Sequence, residues 1–154
     1  MRALVQRVLH SNVVVDDREV AAIGQGMLVL LGVQKGDCGN DAEYLAQKVA
    51  HLRIFEDENQ KMNLSVQDIK GEVLVVSQFT LAGDTSRGNR PGFETAEKPD
   101  AANRLYEYFV ACLRRLEVPV QTGVFQADMK VSLLNDGPVT FLLEKNSREV
   151  PHGK

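Results

Sequence analysis

Apolar residues along the chain recur with a period of two or of about 3.6, and each change of period predicts a change of element. Strand-like segments rich in β-branched residues occupy residues 3–8, 12–15, 20–23 and 27–33. The segment 27–33 is continuously apolar, which is typical of a strand buried on both faces. The start of the chain therefore predicts a run of strands with short turns between them.

Two later segments show the helical period. Residues 40–52 carry apolar side chains at helical spacing, and Glu43 follows Asn40 by three residues, as in a capping box. Residues 100–116 have a second apolar stripe, and Pro99 before them is typical of a helix start. These segments predict two amphipathic helices that each bury one face.

Further strand-like segments at residues 73–80, 130–134 and 139–143 complete the order of elements. The order strands, helix, strands, helix, strands predicts an α+β domain over residues 1–144 with a mostly antiparallel or mixed sheet. Residues 145–154 lose the apolar rhythm, so we expect a loose C-terminal tail there.

Composition places the chain among ordinary globular proteins. Its 154 residues are 44% hydrophobic and 25% charged, which suits one domain with a sizeable core. No apolar run approaches the ~20 residues that span a bilayer, and the first ten residues do not resemble a signal peptide. Cys38 and Cys112 are isolated, which favours a reducing, cytoplasmic setting over a disulfide framework. A net charge of −3 argues against non-specific binding of long nucleic acids, but it is compatible with binding to the end of an RNA.

Several common chemistries lack their residues in this chain. It has no G-x-S-x-G nucleophile elbow, H-E-x-x-H zinc motif, P-loop or G-x-G-x-x-G fingerprint. His10, His51 and His152 stand far apart in sequence, with no second type of metal ligand beside them. We therefore expect neither a metal site nor another cofactor.

Polar side chains end the apolar run at residues 73–80. In an extended strand Gln78 and Thr80 share one face, while Ser77 and Phe79 point the other way. An amide and a hydroxyl on one face of a cleft suit a catalytic site, although edge-strand residues with ordinary hydrogen bonds would look the same. Thr80 has no histidine, lysine or carboxylate next to it in sequence, which disfavours it as a nucleophile.

A second polar cluster, Asn135 and Asp136 followed by Gly137-Pro138, interrupts residues 131–140. Gly-Pro is first of all a turn signal. It also exposes backbone without a side chain at its first position, which a site can use to press carbonyl oxygens against a ligand. Both interpretations stand on the residues alone.

The segment 83–93 between the two clusters is rich in glycine and arginine. Arg87, Arg90 and Lys98 can bind phosphate, and a solvated loop explains them equally well. Phe93 can stack on a base or simply anchor the loop.

Taken together, these segments closely resemble the D-aminoacyl-tRNA deacylase family of bacteria and eukaryotes. The resemblance rests on RALVQRV, GMLVLLGV, LRIFEDENQKMNLSV, VLVVSQFTLAGDTSRGNRPGF and MKVSLLNDGPVTF, in order from Met1 to about Leu143. Its two signatures are SQFT at 77–80 and NDGPVT at 135–140. Gly92 departs from the serine usual after Arg-Pro, and the tail after Glu144 is longer than usual.

The resemblance implies a metal-independent hydrolase with a barrel-like sheet that acts as a homodimer. Its substrate would be the ester between a D-amino acid, or mischarged glycine, and the 3′-terminal ribose of tRNA. Gln78 and Thr80 would be catalytic. Substrate-binding roles would fall to Ser77, Phe79, Arg7, Gly137 and Pro138.

In the family, the Gly-Pro peptide bond is cis and reaches into the other subunit's pocket, with an arginine matching Arg7 to orient it. Gly137-Pro138 would thus act in trans beside residues 77–80 as a chiral filter that rejects L-aminoacyl-tRNA. Two rivals remain: a general esterase, which the absent serine triad disfavours, and a non-catalytic RNA-end-binding dimer of the same fold.

Overall fold

The computed structural model describes residues 1–146. Of the tail predicted at 145–154, residues 147–154 lie outside the described residues, and Lys145 is tied to the chain start by a hydrogen bond from its N–H to the Met1 carbonyl. The elements are β1 Arg2–Val15, β2 Arg18–Ile23, β3 Gly26–Gly32, α1 Gly39–His51, β4 Phe55–Glu56, β5 Met62–Leu64, β6 Glu72–Ser77, a 3-10 helix Phe79–Ala82, α2 Pro99–Arg115, β7 Val120–Thr122 and β8 Lys130–Glu144.

One mixed sheet forms the frame of the molecule. Its strand order is β2-β1-β3-β6-β7, and β8 pairs with the other side of β1. β1 is antiparallel to β2, β3 and β8, whereas β6 is parallel to both β3 and β7. The Ala22 N–H donates to Oε1 of Gln121 at 2.8 Å, which links β2 to β7 and nearly closes the sheet into a barrel. The predicted α+β class and the mixed, barrel-like sheet are confirmed.

Both faces of the central strands are buried. The helices α1 and α2 cover one face, where Leu45, Val75 and Phe109 belong to the larger apolar core. The other face holds a smaller cluster that includes Leu28 and Leu74. The continuous apolar run of β3 is thus buried on both faces, as its sequence predicts.

The helices lie where the apolar stripes predict them, but the cap of α1 differs. The expected capping box of Asn40 and Glu43 is wrong, because α1 begins at Gly39 and the Cys38 N–H donates to Asp41 at 2.9 Å. The Glu43 carboxylate instead accepts the hydroxyl of Tyr108 on α2. This contact links the two helices on their outer side.

Three strand boundaries also differ from those predicted. Residues 3–8 and 12–15 belong to the single strand β1, and residues 130–134 and 139–143 belong to the single strand β8. The residues between these segments form irregularities in the register of the β1–β8 pairing rather than turns. The strand predicted at 73–80 ends at Ser77, where the 3-10 helix takes over.

Candidate active site

The first signature lies where the buried strand β6 leaves the sheet. The Gln78 N–H donates to the Leu31 carbonyl at 2.8 Å, as the last rung between β6 and β3. The chain then turns into the 3-10 helix beside Gly32, where an added Cβ would lie 2.8 Å from Cβ of Leu81 and 3.0 Å from the Gln78 carbonyl oxygen. A glycine at 32 thus lets the helix pack directly against β3.

The strand alternation expected for residues 77–80 is wrong, because Phe79 and Thr80 are helical. Gln78 and Thr80 are nevertheless adjacent, since the Gln78 amide donates to the Thr80 hydroxyl. Within residues 1–146, this amide is the only side chain that hydrogen-bonds to Thr80, and an amide cannot remove a proton. The site therefore offers Thr80 no general base.

A cavity of about 600 Å³ opens beside this segment. Phe79 and Phe93 line it with their ring centroids 5.1 Å apart and their planes tilted by 58°. Phe125 and Met129 contribute further apolar surface, and Ser77 and Gln78 contribute polar groups to the same wall. Glu97, Gln126 and Asp128 also line the cavity, and a pocket of this size that combines apolar surface with polar groups is typical of small-ligand sites.

The glycine- and arginine-rich segment is attached to the rim of this cavity. It closes on itself through two hydrogen bonds, from the Asp84 N–H to the Gly92 carbonyl at 2.7 Å and back from the Gly92 N–H at 2.9 Å. Hydrogen bonds from Ser86 lower the pKa of the Asp84 carboxyl. Phe93 follows Gly92 directly and packs on Phe79.

The second signature is held by the buried side chain of Arg7 on β1, which is 5% exposed. Its Nη1 donates to the Ile54 carbonyl at 2.7 Å and its Nε to the Asp136 carbonyl at 3.0 Å. Nε also lies 3.4 Å from the Asp136 carboxylate, and Nη2 lies 3.9 Å from that of Glu56. One guanidinium thus ties Asp136, the residue that precedes Gly137, to the backbone at Ile54.

Asn135 fixes the same segment from its other side. Its amide donates to the Arg7 carbonyl at 2.9 Å and to the Val139 carbonyl at 3.0 Å, so it spans the Gly137-Pro138 dipeptide. The Gly137-Pro138 peptide bond is cis, and Gly137 has a φ of +128°. Both residues are exposed, and β8 continues beyond them without the turn that Gly-Pro would signal.

The two signatures lie far apart within one chain. Ser77 pairs with Leu31 of β3, which pairs in turn with Ala3 of β1. Ala3 pairs with Leu143 of β8, six residues beyond Gly137. The ladder passes from the Gln6–Thr140 pair to the Val8–Asn135 pair, so Gly137 lies about level with Arg7, four residues along β1 from Ala3. Three strand spacings, about 14 Å, and four residues of strand, about 13 Å, separate the segments along the sheet. The cavity accordingly has Ser77, Gln78 and Phe79 in its wall but neither Gly137 nor Pro138.

Two further properties bear on the chemistry. Among residues 1–146, no three histidine, cysteine, aspartate or glutamate side chains are grouped so that they could hold a metal ion. No helix in the same range is both long and apolar enough to cross a membrane.

Phe125 and Met129, which complete the cavity, were not predicted from the sequence. They follow β7, more than forty residues after the first signature, and no local pattern marks them as neighbours of residues 77–80. Asn135 stood in a recognised polar cluster, but only the structure gives its two hydrogen bonds.

The solved structures most similar to this fold include two informative examples. The protein described as c-Myc DNA Unwinding Element Binding Protein is 40% identical, with a TM-score of 0.90 over 96% of this chain and all of that one. A structure described as that of a probable eukaryotic D-amino acid tRNA deacylase has a TM-score of 0.78 over 92% of this chain and 97% of its own. At 17% identity, the second supports the fold alone.

Sequence comparisons are more specific. The family described as D-Tyr-tRNA(Tyr) deacylase matches residues 4–144. The D-aminoacyl-tRNA deacylase of Geotalea uraniireducens is 62% identical over 94% of this chain and 93% of that protein. The D-aminoacyl-tRNA deacylase of Geobacter sulfurreducens is 57% identical over 96% of this chain and 97% of its own. The chain therefore belongs to the D-aminoacyl-tRNA deacylase family.

Proposed function

We propose that this protein hydrolyses the ester of D-aminoacyl-tRNA, releasing free tRNA and the D-amino acid, and that it also clears mischarged glycyl-tRNA. The observation that carries the proposal is the cavity of about 600 Å³ with Ser77 and Gln78 in its wall. It is large enough for the terminal adenosine of tRNA, and in a member of this family it adjoins the first signature. The cytoplasm, where charged tRNA is used, is the proposed location.

Recognition of the RNA end depends on stacking. Phe79 is 59% exposed and Phe93 39% exposed, so the pair offers aromatic surface to a ligand. The two rings contact each other at 5.1 Å between centroids, and both line the cavity. Stacking on aromatic rings is the common way in which proteins bind an unpaired base.

Hydrolysis proceeds without an acyl-enzyme. Thr80 lacks a base, so the ester is attacked by water that the site positions, with the vicinal 2′-hydroxyl of the ribose assisting. Backbone N–H groups stabilise the developing oxyanion. We expect Thr80→Ala to lower rate or binding with no covalent intermediate. Mass spectrometry that detects an acyl adduct on Thr80 would overturn this mechanism.

Rejection of L-aminoacyl-tRNA requires more than pocket affinity. One methylene more or less in a pocket changes binding by only about 1–3 kcal/mol, whereas a steric clash discriminates more strongly. Gly137-Pro138 presents exposed backbone that faces outward from β8. Set against the α-carbon of the substrate, it would leave room for a hydrogen and exclude a side chain, so D-residues and glycine would fit.

A homodimer brings this filter to the site. Gly137 and Pro138 do not line the cavity of their own chain, so Gly137-Pro138 of the partner subunit would face residues 77–80. The exposed apolar residues on β8 and beside it support this interface: Leu9, Leu134, Phe141 and Leu142 are each more than 40% exposed. Large apolar side chains that stay exposed on one strand and its neighbour favour a protein interface there.

The decisive experiment follows ester loss from D-tyrosyl-tRNA and L-tyrosyl-tRNA with a chelator present. Rapid loss of the D ester alone would support a metal-independent chiral deacylase. Loss of both esters would contradict the filter, and loss of neither would favour a non-catalytic protein that binds RNA ends.

Subunit mixing tests action in trans. If each site combines Thr80 of one subunit with Gly137 of the partner subunit, a dimer of Thr80→Ala and Gly137→Ala chains contains one intact site and one doubly altered site. Where each variant alone has lost most of its D-tyrosyl-tRNA hydrolysis, random association should then restore about a quarter of wild-type activity. A site built within one chain would gain nothing on mixing.

A further inference from the structure

Residues 83–93, named here the arginine loop, project beside the cavity from a base that is held by hydrogen bonds. Two hydrogen bonds between Asp84 and Gly92 close its base. The Gly83 N–H donates to the Thr80 carbonyl at 3.0 Å, so the loop starts directly on the 3-10 helix of the candidate site. At its other end, the Phe93 ring lies in the cavity wall. The position of the loop is therefore fixed relative to the proposed adenosine pocket.

The outer part of the arginine loop, residues 85–91, carries two positive charges and no negative one. Arg87 and Arg90 are exposed, and neither makes a hydrogen bond or an ion pair with any residue in the described range 1–146. The carboxylate of Asp84 at the base is occupied by the Ser86 N–H at 2.9 Å. The chain as a whole has a net charge of −3, so its overall charge does not explain the two exposed arginines in this loop.

We infer that Arg87 and Arg90 bind the phosphates of the tRNA nucleotides that precede the terminal adenosine. The inference rests on the proposed function, because it takes the adenosine to lie in the cavity. A guanidinium suits phosphate because it forms paired, charge-assisted hydrogen bonds. The outer side of the loop is open, since an added Cβ at Gly88 would meet no atom within 4 Å.

Phosphate contacts would let the protein bind the ends of different tRNA species. They position an RNA without reading its bases, and two of them suffice for a short single-stranded end. The acidic remainder of the protein then disfavours binding elsewhere along the RNA. The arginine loop would thus set affinity and orientation, whereas the cavity and the partner's filter would set chemistry and chirality.

The test compares the Arg87→Ala/Arg90→Ala variant with an Arg18→Ala/Lys70→Ala control. Both remove two exposed positive charges, but Arg18 begins β2 and Lys70 precedes β6, at the end of the sheet opposite to Ser77. Two substrates are used: D-tyrosyl-tRNA, and the D-tyrosyl ester of adenosine, which has no phosphate. The measured quantity is kcat/KM at salt concentrations between 50 and 200 mM.

Loss of two single-strand phosphate contacts should lower the slope of log kcat/KM against log salt by about 1.4. Over this range the wild type would then lose about sevenfold more activity on tRNA than the loop variant. The adenosine ester should be hydrolysed equally by both, and the control should keep the wild-type slope.

Three results would overturn the inference. A wild-type slope in the loop variant would show that the arginines do not contact phosphates. An equal reduction of slope in the control would assign the effect to net charge. Loss of activity on the adenosine ester in the loop variant alone would mean that the loop acts on the cavity. If the wild type hydrolyses neither substrate, the proposed function fails, and the inference with it.

Discussion

Replacement of Gly137 by alanine tests the structural reason for glycine in the second signature. The φ of Gly137 is +128°, a conformation that L side chains rarely adopt. An added Cβ would lie 2.8 Å from Nη2 of Arg7 and 2.8 Å from Cγ2 of Val139. The Val139 methyl can rotate away, but Arg7 is fixed by its contacts with Ile54 and Asp136.

The expected cost follows from these two terms. Forcing a residue with a side chain into such a backbone conformation costs about 1–3 kcal/mol. Displacing the Arg7 guanidinium weakens a charged hydrogen bond, which adds about 1 kcal/mol. We therefore expect Gly137→Ala to lower the free energy of unfolding by about 2–4 kcal/mol. If the backbone shifts instead, the stability loss will be smaller and the filter will be misplaced.

Urea denaturation and D-tyrosyl-tRNA hydrolysis measure the two outcomes. With a slope of about 2 kcal/mol per M urea, the midpoint should fall by about 1–2 M, or deacylation should fall at least about tenfold. Gly24→Ala is the matched control, because its Cβ would meet no atom within 4 Å. Wild-type stability together with wild-type activity in Gly137→Ala would refute the requirement for glycine.

Two other substitutions test buried polar groups. Arg7→Lys keeps the charge but cannot donate to the Ile54 and Asp136 carbonyls together, so urea denaturation should show a loss of about 1–3 kcal/mol; an unchanged midpoint would contradict this. Tyr106 donates its hydroxyl to the Val75 carbonyl at 3.0 Å, and burial raises its pKa to about 12. Since an unfolded tyrosine ionises near pH 10, its contribution to stability should be present below pH 10 and fall as pH rises towards 12. Tyr106→Phe should lose about 1–2 kcal/mol at neutral pH and fall less over that alkaline range; parallel pH profiles would argue against the raised pKa.

Local pattern was enough to predict most elements but not their ends. The apolar stripe of α2 and the continuous run of β3 are set by side chains a few residues apart, so the sequence displays them directly. The length of β8 depends on its partner β1, because a shared ladder carries the strand past Gly137-Pro138. Tertiary pairing thus overrides a local turn signal.

The site divides in the same way. SQFT at 77–80 and NDGPVT at 135–140 are contiguous, and the resemblance identified both. Their surroundings come from distant parts of the chain: Ile54 accepts from Arg7, and Phe125 joins the cavity wall. The 3-10 helix was missed because residues 79–82 keep a strand-like composition, whereas its direction is set by close packing on Gly32.

The hydrogen bonds of the second signature bear on how strictly the proposed filter could discriminate. An L side chain would be admitted if Gly137-Pro138 moved away from the α-carbon, so the cost of that movement limits the selectivity. Such a movement breaks one charged hydrogen bond from Arg7 and two neutral ones from Asn135. The charged bond contributes about 1.5–3 kcal/mol and each neutral bond about 0.5–1.5 kcal/mol, so the three sum to roughly 2.5–6 kcal/mol. That free energy corresponds to about two to four orders of magnitude in rate. Differences in pocket affinity supply only about 1–3 kcal/mol. The proposed backbone filter, held by Arg7 and Asn135, would therefore be the stronger means of sparing the abundant L-aminoacyl-tRNA.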